Sequence, residues 1–509
     1  MSDLTKRIST LSPRQRKLLW ERLRQNGSHG SSALIPRQSR TENFFPLSFA
    51  QERLWVVEQL QPGNPAYIIS AAAGFNLPVK IAVLEQSLNA IVQRHEILRT
   101  TFPACHGKPV QRIASSMMLT LPVVDLRHIP EPYRAEQAAQ LAAEQARRPF
   151  DLASGPLLRT RLLRLSEDRS VTLIALHHII FDGWCTSLLV QEMMALYAAF
   201  SRGQPSPLPE LPIQYADYAV WQREWLQGEV LERLLSYWRK QLQGLSPLEL
   251  PLDHPRPPVF RYRGARKTLP LSKDLTQALH TLSRQQNATL FMTLLAAFKT
   301  LLYMYTGQDD IAVGTSLANR TRAETAGLIG SFVNMVVLRA NLAGDPSFLE
   351  LLRRVREVCL SAYAHQDLPF EKLLKELNPQ RDPSRNPLYQ VVFQMNNTPA
   401  PFGMAPGENY GLPESGYQWL ETGTAMAELN MHIDPVMAGP DGGSTAWNCV
   451  LEYRTDLFED ATIGRMLRHF QTLLDQIIAD PTKRLSRLRF SPDAEINCTA
   501  TDFAEANLN

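Results

Sequence analysis

The sequence predicts a mixed α/β (α+β) protein organised around two cores. Strand-like and helix-like segments alternate along the chain, prolines gather in a few breaks between them, and 509 residues exceed what one core holds. Single cores stop growing near ~250–300 residues, so two lobes of roughly 200 residues each are expected. A hydrophobic content of 44% with 20% charged residues is that of a globular chain.

Taken in order, the first element is a short helix. Ser12 can cap it, Pro13 suits its first turn, Gln15 completes a capping box, and Leu18, Leu19 and Leu23 supply apolar positions. Residues 26–43 turn to Gly, Ser and charge, so 1–43 reads as a helix and linker, with the main body beginning near Pro46. Proline-dense breaks fall at 203–212 and 245–258, with another at 398–416. Residues 158–165 alternate Leu with Arg or Thr as a half-buried strand does, and 171–176 form the apolar run of a central strand. Helical spacing marks 187–200, 218–242, 289–305, 349–365 and 461–478. Strand patterns mark 310–317, 336–341, 389–395 and 447–453. The resulting division is a first lobe over 44–220, a second over 221–490 and a C-terminal linker over 491–509. No repeat of 20–50 residues is present, which excludes a solenoid.

Composition narrows the function. A net charge of +3 with no basic cluster interleaved with aromatics argues against nucleic-acid binding. Five scattered cysteines, Cys105, Cys185, Cys359, Cys449 and Cys498, have no C-x-x-C spacing and predict neither disulfides nor a zinc site. No signal-peptide core and no uncharged apolar run of ~18–20 residues occurs, so a cytoplasmic protein without a membrane segment is expected.

The chemistry concentrates in His177-His-Ile-Ile-Phe-Asp-Gly183, between the apolar strand and the following helix. Strand ends are where α/β architectures gather reactive groups. Neighbouring side chains on a strand point to opposite faces, so one histidine faces a cleft and the other is locked inside. Asp182 is placed to bond a ring nitrogen or an arginine, and Gly183 lets a backbone N–H approach a ligand. A cleft-facing histidine can accept a proton from an attacking amine, orient it, or stabilise a tetrahedral intermediate. Taken alone, adjacent histidines more often serve structure. Metal ligation is disfavoured because strand neighbours face apart and no third ligand cluster supports them.

Further segments make the pattern specific. His177–Gly183 fits HHxxxDG. Around it, in order, stand Ser48-Phe-Ala-Gln-Glu-Arg-Leu-Trp55, Arg94-His-Glu-Ile-Leu-Arg-Thr-Thr-Phe102, Tyr215-Ala-Asp-Tyr-Ala-Val-Trp221, Ile329-Gly-Ser-Phe-Val-Asn-Met-Val-Val-Leu-Arg339, His365-Gln-Asp-Leu-Pro-Phe-Glu371 and Arg381-Asp-Pro-Ser-Arg-Asn-Pro-Leu388. This set resembles the condensation domains of nonribosomal peptide synthetases over about residues 44–490. The resemblance implies two chloramphenicol-acetyltransferase-like lobes forming a V-shaped pseudo-dimer with a central tunnel. It implies that His178 is the catalytic histidine and His177 the buried structural one. Asp182 then pairs with an arginine, Arg320 or Arg339, and Gly183 lies beside the acceptor amine. Arg99 is expected to support the site, with Arg94 and His95 holding the lobe together. Trp184, Ser48, Asn334 and Ser331 are tunnel candidates, Gln51 and Arg53 packing or tunnel residues, Trp221 and Trp225 core, and His365 and Arg381 scaffold.

The reaction implied is attack of a carrier-bound α-amine on a carrier-bound thioester. No bound cofactor or metal is expected; both substrates hang on phosphopantetheine arms of donor and acceptor carrier proteins, with an adenylation domain adjacent and the chain itself a monomer. The absence of a Gly-x-Ser-x-Gly elbow agrees with a route lacking a covalent enzyme intermediate. The motif set is most similar to the class joining an L-residue donor to an L-residue acceptor. A starter domain taking a fatty acyl donor is the alternative, and a non-catalytic recruitment module is disfavoured by the retained His178, Asp182 and Gly183. Departures from the family pattern are Phe181, Cys185 and Met335, with Ala427-Glu-Leu-Asn430 replacing a Lys-Phe-Asp pattern; the first two are expected to alter the tunnel lining.

Overall fold

The computed structural model describes residues 34–380, 382–396, 416–435 and 447–490. The helix expected near residues 12–23, Arg381 and the linker over 491–509 lie outside the described residues.

The first sheet is built from β1 (Ile68–Asn76), β2 (Val123–Asp125), β3 (Leu158–Arg164) and β4 (Arg169–His177). With them stand α1 (Phe49–Leu60), α2 (Ile81–Arg94), α3 (Tyr133–Arg147), α4 (Trp184–Phe200) and α5 (Tyr215–Trp225). β4 pairs antiparallel with β1 on one side and β3 on the other, which makes it central. Its nearly unbroken burial is why its sequence is an apolar run rather than an alternation. Fully burying each leucine or valine of such a strand stabilises the fold by about 1.5–3 kcal/mol.

The second sheet follows the order β7-β6-β8-β10-β11-β5, from β5 (Gly264–Leu271), β6 (Asp310–Leu317), β7 (Asn334–Asn341), β8 (Val391–Met395), β10 (Leu429–Pro435) and β11 (Trp447–Arg454). It is covered by α8 (Leu290–Thr306), α9 (Phe348–Ala364) and α11 (Asp460–Ala479), with α7 (Lys273–Gln285) packed on α8 and α10 (Phe370–Leu377) beside β7. Thr289 caps α8 by accepting the Met292 N–H, and Gly307 ends it in the left-handed conformation at φ 69°. Leu290 and every position of α8 from Met292 to Leu302 are buried, so the helix runs through the core instead of lying on it.

Two expectations change. The helix expected over 218–242 is two: α5 stops at Trp225, Gly228 takes φ 55°, and α6 (Gly228–Leu242) follows. The boundary near residue 220 is also crossed by chain from the second half. Leu328, Ile329 and Phe332 belong to the first core, and β9 (Gly416–Trp419) is the edge strand of the first sheet, pairing Tyr417 with Ala73. Among the described residues, no single helix is long and apolar enough to cross a membrane.

Candidate active site

β4 ends at His177, and a single 3-10 turn, His178–Ile180, swings the chain away before α4 begins. His177 closes that turn itself. Its Nδ1 accepts the Ile179 N–H at 3.1 Å, and its ring meets Phe150 edge-on at 6.3 Å. Burial, helped by the neighbouring His178, pushes its pKa down to about 3. The ring is thus neutral and 2% exposed, with its Nδ1 committed to the backbone.

His178 is the partly exposed member of the pair, and its Nδ1 has no hydrogen-bond partner of good geometry. Burial lowers its pKa, with its own main chain and the Asp182 charge opposing and Arg53 adding to the fall. It is therefore an uncharged imidazole at neutral pH, able to take up a proton.

Asp182 does not reach a histidine ring. Oδ1 accepts from the Cys185 N–H at 3.2 Å, from Cys185 Sγ at 3.0 Å and from Arg320 Nη2 at 3.3 Å. Oδ2 accepts the Phe332 N–H at 2.9 Å. Both members of the ion pair are almost fully buried, with 2% of Arg320 and none of Asp182 exposed. Such a pair is tolerated only when its remaining polar atoms are also bonded. Arg320 meets most of that demand by donating through Nη1 to the carbonyls of Thr325 and Leu328 and by lying 4.1 Å over the Phe332 ring.

The arginine question is thus decided. Arg339 pairs with Asp310 at 2.7 Å, at the opposite end of β6 from Arg320, and does not support the loop. Arg99 lies away from it as well, bonding the Ala114 carbonyl and facing Glu96.

Gly183 caps α4 at an ordinary φ of −59°, so backbone freedom does not require glycine there. A Cβ at this position would meet nothing within 4 Å. What glycine preserves is open, exposed space at the start of α4, where the chain leaves the histidine turn.

The tunnel candidates divide. Trp184 is 41% exposed and its Nε1–H points at the Ala326 carbonyl at 3.4 Å, leaving its ring at the surface. Ser48 is instead a buried helix cap whose Oγ also bonds the Tyr215 hydroxyl at 2.8 Å. Asn334 is spent on the Gln366 and Leu368 carbonyls and the Phe370 N–H, and Ser331 is buried with its carbonyl held by Tyr215. Cys185 and Phe181 are buried, and the Cys185 thiol is turned toward Asp182. A motif in sequence does not say whether a small polar side chain faces a cavity or caps a helix.

Two features of the site leave no signal in the sequence. Main-chain groups of Leu328, Gly330 and Phe332 complete the Asp182–Arg320 lock, and no side-chain pattern announces a main-chain contact. Arg53, paired with Glu371 at 3.3 Å, brings a positive charge within electrostatic range of His178. Among the described residues no group of three or more His, Cys, Asp or Glu is placed to hold a metal ion.

A neutral histidine at a strand end, a locked aspartate and open space at a glycine match a family pattern extending over the chain. The condensation-domain family model covers residues 41–497. The chain belongs to the condensation domain family. This condensation domain is 46% identical over 471 residues to one of the linear gramicidin synthase subunits of Brevibacillus parabrevis, a match covering 92% of the chain and 9% of that protein. It is 41% identical over 490 residues to phosphinothricin tripeptide synthetase PhsC of Streptomyces viridochromogenes, covering 96% of the chain and 44% of PhsC. It therefore spans less than half the length of these relatives. Among solved structures, the X-domain from teicoplanin biosynthesis superposes with a TM-score of 0.78 at 27% identity, covering 90% of this chain and all of the X-domain. The fold is accordingly chloramphenicol-acetyltransferase-like. Condensation domains of nonribosomal peptide synthetases form amide bonds between substrates held on carrier domains, and this domain is an enzyme of that class.

Proposed function

We propose that this domain catalyses L-to-L peptide elongation between two carrier-bound substrates, with His178 as the residue that handles the acceptor amine. The amine nitrogen attacks the donor thioester carbonyl carbon. The C–N bond forms as the C–S bond breaks, the donor thiol departs on its own phosphopantetheine arm, and the amine's surplus proton passes to His178 Nε2 or to the departing thiolate. A thioester is already activated, so positioning carries most of the acceleration, worth up to ~7–11 kcal/mol in favourable cases. His178 adds a polar contact to the amine, and the space at Gly183 receives it. Asp182 and Arg320 keep the loop in place and touch no substrate.

The observation carrying this reading is the partly exposed, uncharged His178 on a loop that also carries the open position Gly183 and is fixed by an almost fully buried ion pair. The elongation mode is supported by the likeness to linear gramicidin and phosphinothricin tripeptide synthetases. On this reading the domain works in the cytoplasm, with donor and acceptor carriers and an adenylation domain as neighbours.

One observation favours a second reading, recruitment of another protein. The X-domain that superposes on this chain has also been solved in complex with OxyB. The test is intact-mass detection of product on an aminoacyl acceptor carrier offered an aminoacyl carrier and, in parallel, a fatty acyl coenzyme A. Product from the aminoacyl donor supports elongation, and product from the fatty acyl donor makes this a starter domain. No product from either donor, from a folded protein that binds a partner enzyme, would favour recruitment.

A further inference from the structure

We propose that His95, held by Glu192, is a positioning residue for condensation, acting through the 328–332 segment that locks Asp182. The proposal rests on the reading that His178 performs the chemistry.

His95 follows α2 directly and is 1% exposed. Its Nδ1 accepts the Ile329 N–H at 3.3 Å. An imidazole nitrogen that accepts carries no proton, so the proton sits on Nε2, which donates to Glu192 Oε2 at 2.8 Å. Glu192 lies on α4, the helix that begins at Gly183, and takes a second bond from Arg94 Nε at 2.9 Å. Burial opposes ionisation of Glu192, yet His95 and Arg94 together hold its carboxyl below the usual range. The carboxylate thus fixes the tautomer of His95, and the tautomer presents a lone pair to Ile329.

Ile329 sits at the middle of the lock. The carbonyl of Leu328 accepts from Arg320 at 2.7 Å, the Gly330 N–H approaches Cys185 Sγ at 3.3 Å, and the Phe332 N–H reaches Asp182 at 2.9 Å. The segment has little freedom to take up a shift elsewhere, because a Cβ at Gly330 would already overlap the Tyr215 ring. Displacing Ile329 therefore displaces the groups that hold Asp182, and with them the turn that presents His178. The connected path is Glu192, His95, Ile329, Phe332, Asp182, and it joins α4 to the loop at its own N-terminus.

The test separates positioning from scaffolding by using two side chains of similar size. His95→Asn places an acceptor oxygen near the former Nδ1 and keeps the bond to Ile329. His95→Gln reaches Glu192 but offers Ile329 no matched acceptor. We expect the Asn variant to keep kcat within about threefold, and the Gln variant to lose roughly 10–100-fold in kcat with KM for the acceptor carrier and the melting temperature unchanged. Glu192→Gln, which weakens control of the tautomer, should fall between them and serves if the Gln variant does not fold. Equal losses in the two His95 variants, or a kcat loss matched by a fall in melting temperature, would overturn the proposal. A wild-type rate in His178→Ala, measured alongside, would instead overturn the reading on which it rests, whatever the His95 variants do.

Discussion

In the first sheet β4 delivers His177, His178 and then Asp182; in the second, β6 delivers Asn319 and Arg320, and the two strand ends meet in the Asp182–Arg320 pair. The first end keeps one polar side chain largely uncommitted, since His178 Nδ1 makes no hydrogen bond of good geometry. The second spends Arg320 on Asp182, Thr325, Leu328 and Cys185. Two similar strand ends have thus divided the work. One presents a group that can change protonation state, and the other supplies an unchanging cation that holds it still. A guanidinium suits the second task because it stays charged and donates in a fixed fork.

The largest effect should come from emptying the presenting end. His178→Ala is expected to lower condensation about 10²–10⁴-fold, the usual contribution of a positioned acid–base group. Its melting temperature should stay at the wild-type value, since the ring makes no well-formed bond through Nδ1. Intact-mass product formation and thermal melting read the two quantities. A wild-type rate would leave the two strand ends without their division of labour.

Emptying the holding end should act on stability first. Asp182→Ala leaves Arg320 charged and 2% exposed without its anion, and breaking such buried pairs costs about 3–5 kcal/mol. Arg320→Ala should cost a similar amount for the converse reason. Urea unfolding midpoints would show it. An unchanged midpoint with lost activity would move Asp182 from the holding role to the chemical one.

How much of this was legible in the sequence follows from what each contact is made of. The strand 310–317 matches β6 because its apolar pattern is buried on both faces, and 171–176 is the core of β4. HHxxxDG could be placed at a strand end, and strand alternation already required one histidine in and one out. The choice of Arg320 over Arg339 was not legible, since β6 and β7 pair in antiparallel register and only the pairing says which end each arginine occupies. The insertion of 328–332 into the first core and the crossing of β9 were invisible for the same reason. Both depend on contacts far apart in the chain, and neither leaves a local period. The bonds that Ser48, Asn334 and Ser331 make were not legible either, because a buried polar residue bonded within the core has the same sequence appearance as one lining a cavity.

The two histidines also predict a pH response in which rate and stability separate. His178 has a pKa lowered by burial, so the acid limb of the rate should lie below the ordinary imidazole value of 6.5, with little change between pH 7 and 6.5. His177 falls from 6.5 to about 3. As pH drops through 6.5 the unfolded chain takes up a proton that the folded chain refuses until about 3. Stability supplied by keeping this ring neutral is thus complete above pH 6.5 and is lost as pH falls from there toward 3. Melting temperatures at pH 7, 5.5 and 4.5, set against His177→Asn, check the sign. A wild-type protein no more acid-sensitive than the variant would contradict it.

The smallest effect is expected at the arginine left out of the lock. Arg339, on β7, lies opposite the start of β6, where it bonds Asp310 through Nε and Nη2 and the carbonyls of Gln241 and Gln243 through Nη1. The eight residues of β6 separate that end from Arg320 by about 25 Å, a distance over which exposed charges are screened. With 20% of Arg339 and 34% of Asp310 exposed, the pair stabilises the fold by about 1 kcal/mol at most. Arg339→Ala should therefore leave kcat within twofold and shift the urea midpoint only slightly, where Arg320→Ala shifts it greatly. A large loss of activity from Arg339→Ala with the midpoint unmoved would mean that β6 transmits strain along its length, and the holding role would then belong to the whole strand and not to its end.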